Sequence, residues 1–311
     1  MKLSRRIDES EIIAHYSQLN ARAKPSLPGA LDSMTLATSA FGIGDAVILS
    51  DLPRTANRNG RFASVFSPSK HFRTLMNFNP YYKPGLTPFC AISDVLYHSF
   101  DLGNGHLIQR LQRAYGLPID LQPHGCVEVR ERTTLSRIAL HFEAGSHADW
   151  QRQHIRPDAR ILSSPSKAAI EALIVARPDF EFVELGSRSS GIRGAIDCTG
   201  LPLNESIEVL SSAKYFIGIM SGPMHLAAAL NIRLICITNF PPPELICLPT
   251  LKDIDQVESE WFYPQSVILH QDGDGTFVKQ ISADNLQRAL DGDLYPYWSS
   301  RYLPLVEDRI K

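Results

Sequence analysis

Short apolar runs alternate with amphipathic stretches along most of the chain, and this order predicts an α/β fold. The apolar runs typical of buried strands lie at 35–39, 61–66, 137–142, 181–187, 215–219, 233–238 and 266–270. Helical spacing of apolar residues is found between them, at 46–59, 106–115, 165–176 and 203–210. Strands that alternate with helices form parallel sheets with helices on their faces. The pattern therefore predicts two α/β halves, with Gly60 ending one helix and Ser164 capping another.

Two stretches interrupt this order and suggest how the chain is divided. Residues 67–105 contain four prolines and predict long loops around a cleft. The polar stretch 128–134 follows a helix and precedes the second series of strands, which makes it the predicted domain boundary. The predicted division is an N-terminal domain over 1–132, a C-terminal domain over 133–285, and a helical tail over 286–311 that packs back across both domains.

Composition excludes several classes of protein. The chain has 311 residues with 44% hydrophobic and 21% charged residues, which is enough for two folded domains. Its formal net charge of −2 gives no electrostatic reason to bind nucleic acid. The N-terminus lacks the apolar core of a signal peptide, and no apolar run approaches the roughly 20 residues that span a bilayer. The five cysteines form no C-x-x-C pair. We therefore expect no metal site and a cytoplasmic location, and association with the inner membrane surface stays open.

The most informative segment is 215–230, which predicts a buried strand, a Ser-Gly-Pro turn and the start of a helix. Ser221 is expected to cap this helix through its hydroxyl, and Pro223 suits the first turn because it has no N–H to leave unpaired. Gly222 is expected to let a ligand approach the backbone closely. A helix N-terminus presents N–H groups and positive charge, so this turn suits a phosphate, with His225 adding a side-chain contact.

This segment resembles the SGPMHLAAAL signature of glycosyltransferase family 9, the ADP-heptose:lipopolysaccharide heptosyltransferases and their relatives. The resemblance implies GT-B architecture, in which two Rossmann-like domains face a central cleft, the N-terminal domain on the acceptor side and the C-terminal domain binding the nucleotide sugar. It also implies a nucleoside-diphosphate sugar as donor, and ADP-heptose is the first candidate. The family pattern has an acidic residue before the Ser-Gly or Thr-Gly, where this chain has Met220. Arg188 and Arg193 are further candidates to pair with the diphosphate. The implied donor-binding residues are Ser221, Gly222, Pro223, Met224, His225, Gly145, Ser146, Gly186 and Ser187.

A second glycine loop, Phe41-Gly42-Ile43-Gly44-Asp45, precedes the first helix. The resemblance implies that Asp45 deprotonates the acceptor hydroxyl, because transfer with inversion needs a base on the face opposite the leaving nucleotide. The residues alone favour a simpler interpretation, in which Asp45 complements the helix dipole at under about 1 kcal/mol. Gly42, Gly44 and His106 are the other residues expected on the acceptor side, and a surface position is the simpler interpretation of His106.

The resulting hypothesis is an inverting glycosyltransferase that moves heptose or a related sugar to a hydroxyl of a glycan, a protein or a small molecule. We expect no metal and no cofactor beyond the nucleotide-sugar co-substrate, since the chain has no D-x-D-like acidic motif. Two alternatives stay open. One is a nucleotide-sugar epimerase on the same scaffold. The other, motivated by Met220, is a non-catalytic relative that binds a nucleotide or a glycan.

Overall fold

The part of the chain that the structure describes forms two parallel β-sheets with helices on their faces. The computed structural model describes residues 35–37, 42–67, 69–84, 89–91, 106–120, 122–133, 135–144, 161–238, 263, 266–271 and 281–294. The predicted tail beyond residue 294 lies outside the described residues, and the predicted boundary between residues 132 and 133 stays a prediction. No described helix is long and apolar enough to cross a membrane. In the same ranges, no three His, Cys, Asp or Glu side chains are grouped as metal ligands would be.

The N-terminal half contains a three-stranded parallel sheet in the order β2-β1-β3. Its strands are β1 (Thr35–Ala37), β2 (Ser64–Phe66) and β3 (Phe89–Ala91). Its helices are α1 (Ile43–Leu49), α2 (Asp51–Arg58), α3 (Phe72–Met76) and α4 (Leu107–Ala114). α3 and β3 fall inside 67–105, so the prediction of loops throughout that stretch is wrong. The three apolar side chains Phe72, Leu75 and Met76 are buried and hold α3 against the core in spite of the neighbouring prolines.

The single helix predicted over 46–59 is two helices, α1 and α2, which meet at Ser50. Pro53 explains the break, because within a continuous helix its ring would clash with the carbonyl of Leu49. In α2, Pro53 instead occupies the first turn, where its missing N–H costs nothing. Ser50 stabilises the junction, because its hydroxyl donates to Val47 O at 2.6 Å and accepts from Cys126 N at 2.7 Å. α1 is therefore a short helix whose N-terminus carries the glycine loop.

The C-terminal half contains a six-stranded parallel sheet in the order β6-β5-β4-β7-β8-β9. Counted within this half, the order is 3-2-1-4-5-6, that of a doubly wound dinucleotide-binding fold. Its strands are β4 (Arg137–His141), β5 (Glu181–Glu184), β6 (Ile196–Asp197), β7 (Tyr215–Ile219), β8 (Arg233–Thr238) and β9 (Val267–His270). Its helices are α5 (Ser164–Ala176), α6 (Leu203–Ser211), α7 (Gly222–Ala229) and α8 (Ala283–Asp291).

Both faces of the six-stranded sheet are buried, as expected of a parallel sheet. Alternate side chains of its strands point to opposite faces, and two separate apolar clusters result. One face packs against α6 and α7 through Ala139, Val183, Phe216, Leu234, Cys236 and Ile268. The other packs against α5 and α8 through Ile138, Leu140, Phe182, Ile217, Ile235 and Leu269. The first cluster continues into α1, α2 and α4, so one core joins the two halves.

Three predicted boundaries in the C-terminal half need correction. The cap of α5 is Ser163, whose Oγ accepts from Ser166 N at 3.3 Å, and Ser164 is the first helical residue. The strand predicted from residue 181 to a Gly186-Ser187 exit ends at Glu184, one residue early, and the chain turns at Gly186 with a φ of 134°. The predicted division between residues 285 and 286 falls inside α8, which packs against α5. This short helix therefore belongs with the six-stranded sheet.

Candidate active site

The predicted Ser-Gly-Pro turn lies between β7 and the N-terminus of α7. Ser221 is the N-cap residue, but its side chain makes no capping hydrogen bond. Its hydroxyl instead donates to Ile219 O at 3.1 Å, which satisfies the last carbonyl of the strand. The predicted side-chain cap is therefore wrong, whereas Pro223 lies in the first turn as expected. The start of α7 thus keeps its positive dipole end without an oxygen from Ser221.

The position of this turn in the sheet is the one where doubly wound folds bind ligands. From β4 the chain continues toward β5 and β6, and from β7 it continues toward β8 and β9. β4 and β7 are neighbours, with His141 paired to Gly218 near their carboxyl ends. The strand order thus reverses direction between β4 and β7. In doubly wound folds, ligands bind in the crevice at the carboxyl ends of the two strands where the order reverses. Ser221 follows β7 at this edge, and Gly145 and Ser146, predicted to contribute from the β4 side, lie outside the described residues.

The glycine loop of the N-terminal half meets the start of α7 directly. A Cβ added at Gly222 would lie 1.9 Å from Ile43 Cγ2, and one added at Gly44 would lie 2.6 Å from His225 Cδ2. Real Cβ atoms do not approach other atoms so closely, so each glycine is required for the contact between α1 and α7. Ile43 fills the space on the Cβ side of Gly222, and the expected approach of a ligand to the Gly222 backbone stays a prediction.

Asp45 is the third residue of α1 and is partly buried. A Cβ added at Gly42 would lie 2.5 Å from Asp45 Oδ2, so the carboxylate lies over the N-cap residue of its own helix. A negative charge at this place complements the positive end of α1. Asp45 directly follows Gly44 in the chain, and Gly44 contacts the ring of His225, which belongs to α7. The structure therefore packs the loop that carries the predicted base against α7, the helix whose N-terminus is the predicted phosphate site.

His225 lies on the second-half side of this contact and is buried, at 3% exposure. Its Nδ1 is 2.8 Å from the hydroxyl of Tyr263, and the opposite edge of its ring faces Gly44. Its ring thus lies between the glycine loop and Tyr263. Tyr263 has no exposed surface, and sequence analysis missed it because the two residues are 38 positions apart with no spacing pattern between them.

His106 is also buried, with 0% exposure, so the expected surface position is wrong. It is the N-cap of α4, where its Nδ1 accepts from Ile108 N at 3.2 Å and its own N–H donates to Gln109 Oε1 at 3.1 Å. Its ring lies over that of Tyr263, with the centroids 4.2 Å apart. These contacts give His106 a structural role, and the expected acceptor-side contact is not supported by a buried ring.

The loop after β5 contains Gly186 and the exposed Ser187. Glu184 holds this loop, because its carboxylate accepts from Ser189 Oγ at 2.8 Å and from Ser190 N at 2.6 Å. The two arginines that were candidates for the diphosphate form ion pairs elsewhere: Arg188 with Glu143, and Arg193 with Glu171.

His141, at the carboxyl end of β4, is a second residue that sequence analysis missed. It is 5% exposed, and its Nδ1 donates to Leu185 O at 2.8 Å. A Cβ added at Gly186 would lie 2.7 Å from this nitrogen, so the ring packs on the β5 loop. Burial lowers the pKa of His141 below its usual 6.5, although the hydrogen bond to Leu185 and the charges of Glu184 and Glu143 act in the opposite direction.

The lowered pKa of His141 predicts a loss of stability in acid. Below about pH 6.5 the unfolded chain binds a proton that the native imidazole does not, so the free energy of unfolding falls by up to about 1.4 kcal/mol per pH unit. The contribution is complete above the unfolded pKa and decreases until the folded pKa is reached. His141→Asn keeps a nitrogen donor near Leu185 O without a titrating group. Urea denaturation between pH 8 and 5 should show a shallower acid decline for the variant than for the wild type. Parallel declines would rule out this role.

Comparisons with known proteins concern the family and the fold. Residues 189–246, which include β7 and α7, match the model of glycosyltransferase family 9 (heptosyltransferase). No curated protein matches the sequence. The glycosyltransferase family 9 structure from Veillonella parvula DSM 2008 has a TM-score of 0.55 at 13% identity, covering 84% of this chain and 97% of that one.

Two Escherichia coli structures give a similar result. The heptosyltransferase WaaC with ADP has a TM-score of 0.53 at 11% identity, covering 84% of this chain and 99% of that one. The ADP-heptose lps heptosyltransferase II has a TM-score of 0.52 at 14% identity, covering 83% and 98% respectively. The likeness confirms the predicted GT-B fold, and together with the family match it supports a heptosyltransferase-like glycosyltransferase of family 9. The matched segment contains Ser221 but not Asp45.

Proposed function

We propose that the protein is an inverting glycosyltransferase that moves heptose or a related sugar from an ADP-linked donor to an acceptor hydroxyl. The proposal assigns the donor diphosphate to the turn at Ser221 and the role of general base to Asp45. The observation that carries it is the contact between α1 and α7, in which Gly44, the residue before Asp45, packs against His225 of α7. The family match over 189–246 supports the class of reaction, and the structure of WaaC with ADP supports adenine as the base of the donor nucleotide.

The chemistry follows from these two helix ends. As the bond between the sugar and the diphosphate breaks, negative charge grows on the leaving diphosphate. The backbone N–H groups and the dipole of α7 stabilise that charge without needing to reorient. Asp45 accepts the proton of the attacking hydroxyl on the other face of the sugar, which makes the oxygen a better nucleophile. Neither step calls for a cofactor beyond the nucleotide-sugar co-substrate.

Nucleotide binding is the first consequence that can be measured. ADP at 100 times its dissociation constant should stabilise the protein by about 2.7 kcal/mol, which raises Tm by several degrees. A thermal-shift panel of ADP, GDP, UDP, CDP and TDP, each with and without magnesium, measures the preference. Adenosine serves as the matched control, because it keeps the base and ribose but has no phosphate to bind at α7. We expect a shift with ADP that adenosine does not reproduce.

The other outcomes separate the rival functions. No shift with any diphosphate would contradict a donor site at Ser221. Product formed from the sugar nucleotide without any acceptor would identify an epimerase. Binding without turnover for any acceptor, and with no effect of Asp45→Asn, would identify a non-catalytic relative. In that case the place of Met220 is relevant, since this partly buried side chain packs on the core where the family pattern has an acid.

A further inference from the structure

Three aromatic side chains from distant parts of the chain meet behind the glycine loop. His106 belongs to the N-cap of α4 in the first half, and His225 belongs to α7 in the second. Tyr263 lies between them, stacked on His106 at a centroid distance of 4.2 Å and edge-on to His225 at 5.5 Å. All three side chains are buried: His106 and Tyr263 have 0% exposure and His225 has 3%. This buried cluster connects the two halves at the level of the candidate site.

One hydrogen bond within this cluster joins Tyr263 to His225. The Tyr263 hydroxyl lies 2.8 Å from His225 Nδ1. Burial raises the pKa of Tyr263 well above 10, so its hydroxyl keeps its proton at neutral pH. A protonated phenol that donates to Nδ1 leaves the proton of a neutral imidazole on Nε2. With the hydroxyl as the donor, this contact selects both the ring plane and the tautomer of His225.

The edge of the His225 ring that points away from Tyr263 packs against Gly44 of the glycine loop. Its Cδ2 and Nε2 would be 2.6 and 3.2 Å from a Cβ added at Gly44. No gap separates the ring from the loop, so a rotation of the imidazole moves Gly44. Gly44 is directly followed by Asp45 in the chain.

We propose that Tyr263 is a positioning residue: its hydroxyl fixes the His225 imidazole against Gly44, and this contact sets the place of Asp45 relative to the N-terminus of α7. The inference rests on the proposed function insofar as it concerns catalysis. Tyr263 touches neither reacting group, so it acts on the rate through geometry. A small displacement of a catalytic group is enough to slow a reaction substantially.

Tyr263→Phe tests the inference, because it removes the hydroxyl and keeps the ring that stacks on His106. The matched control is Tyr215→Phe, which also removes a buried hydroxyl, one that donates to Leu290 O at 3.0 Å at the amino end of β7. Both variants should show comparable decreases in Tm. Only Tyr263→Phe should lower kcat, by about 10-fold, with the KM for the donor changed by less than about 2-fold.

A spectroscopic measurement makes the test independent of activity. In protein labelled with ¹⁵N-histidine, with the His225 signals assigned from a His225→Gln variant, the wild type should show one neutral tautomer, protonated on Nε2. Tyr263→Phe should give a mixture of tautomers. Identical His225 spectra in the two proteins, or equal losses of kcat in the two tyrosine variants, would overturn the inference. Absence of transfer by the wild type with every acceptor would overturn the proposed function instead, and the spectra would still decide whether Tyr263 orients His225.

Discussion

Asp45→Asn is expected to slow sugar transfer by about 10²- to 10⁴-fold, the usual contribution of a general base, while the affinity for ADP is unchanged. The amide has nearly the shape of the carboxylate but does not accept the proton of the acceptor hydroxyl. Asp45 lies on α1 and the diphosphate is assigned to α7, so the substitution leaves the donor side intact. Initial rates and isothermal titration with ADP measure the two quantities.

Glu205→Gln is the matched control for Asp45→Asn. Glu205 also lies in the first turn of a helix, α6, and is exposed. Its neutralisation removes a comparable interaction with a helix dipole, worth under about 1 kcal/mol, without touching the candidate site. If both variants lose a little stability and neither loses activity, Asp45 is a helix-capping residue and another group must act as the base. A loss of transfer in Asp45→Asn alone supports the assignment.

Gly222→Ala is expected to destabilise the protein by about 1–3 kcal/mol, the usual cost of overpacking, and to slow transfer by about 10²-fold. The added Cβ would lie 1.9 Å from Ile43 Cγ2, so α1 and α7 must separate to admit it. That movement carries Asp45 away from the start of α7. Urea denaturation measures the first effect, and kcat/KM measures the second.

The double variant Ile43→Ala/Gly222→Ala isolates the cause. Removing the Ile43 methyl group that the new Cβ meets should make the double variant more stable than the sum of the two single effects predicts. An interaction of about 0.5–3 kcal/mol is typical of residues in direct contact. Strictly additive effects would show that Gly222 is required for another reason, such as its own backbone conformation. Recovery of stability together with activity would identify the helix contact as the feature that both depend on.

The sequence predicted the secondary structure best where apolar periodicity was strong and uninterrupted. β8 matches the predicted strand over 233–238, and α4 differs by one residue at each end from the predicted helix over 106–115. Both segments bury apolar side chains at the spacing of their own structure, so local pattern and tertiary packing agree. The turn at Ser221 was found in the same way, because a strand, a Ser-Gly-Pro turn and a helix start have recognisable local chemistry.

Tertiary contacts account for what the sequence did not predict. The hydroxyl of Ser221 is a local exception: a helix N–H and the carbonyl of Ile219 are both within its reach, and the sequence does not say which one it uses. The burial of His106 depends on Tyr263, and the role of Gly222 depends on Ile43 in the other half of the protein. No local pattern encodes a partner more than a hundred residues away. The two loops were therefore predictable from the sequence, but the way they fit together was not.

The most direct test of the central claim is a crystal structure of the protein with ADP bound. We expect the β-phosphate at the N-terminus of α7, about 2.9 Å from backbone nitrogen atoms at the start of the helix, as in an ordinary N–H···O hydrogen bond. The Asp45 carboxylate should face the same site from α1. ADP bound at another edge of the six-stranded sheet, or with its phosphates directed away from Ser221, would contradict the account.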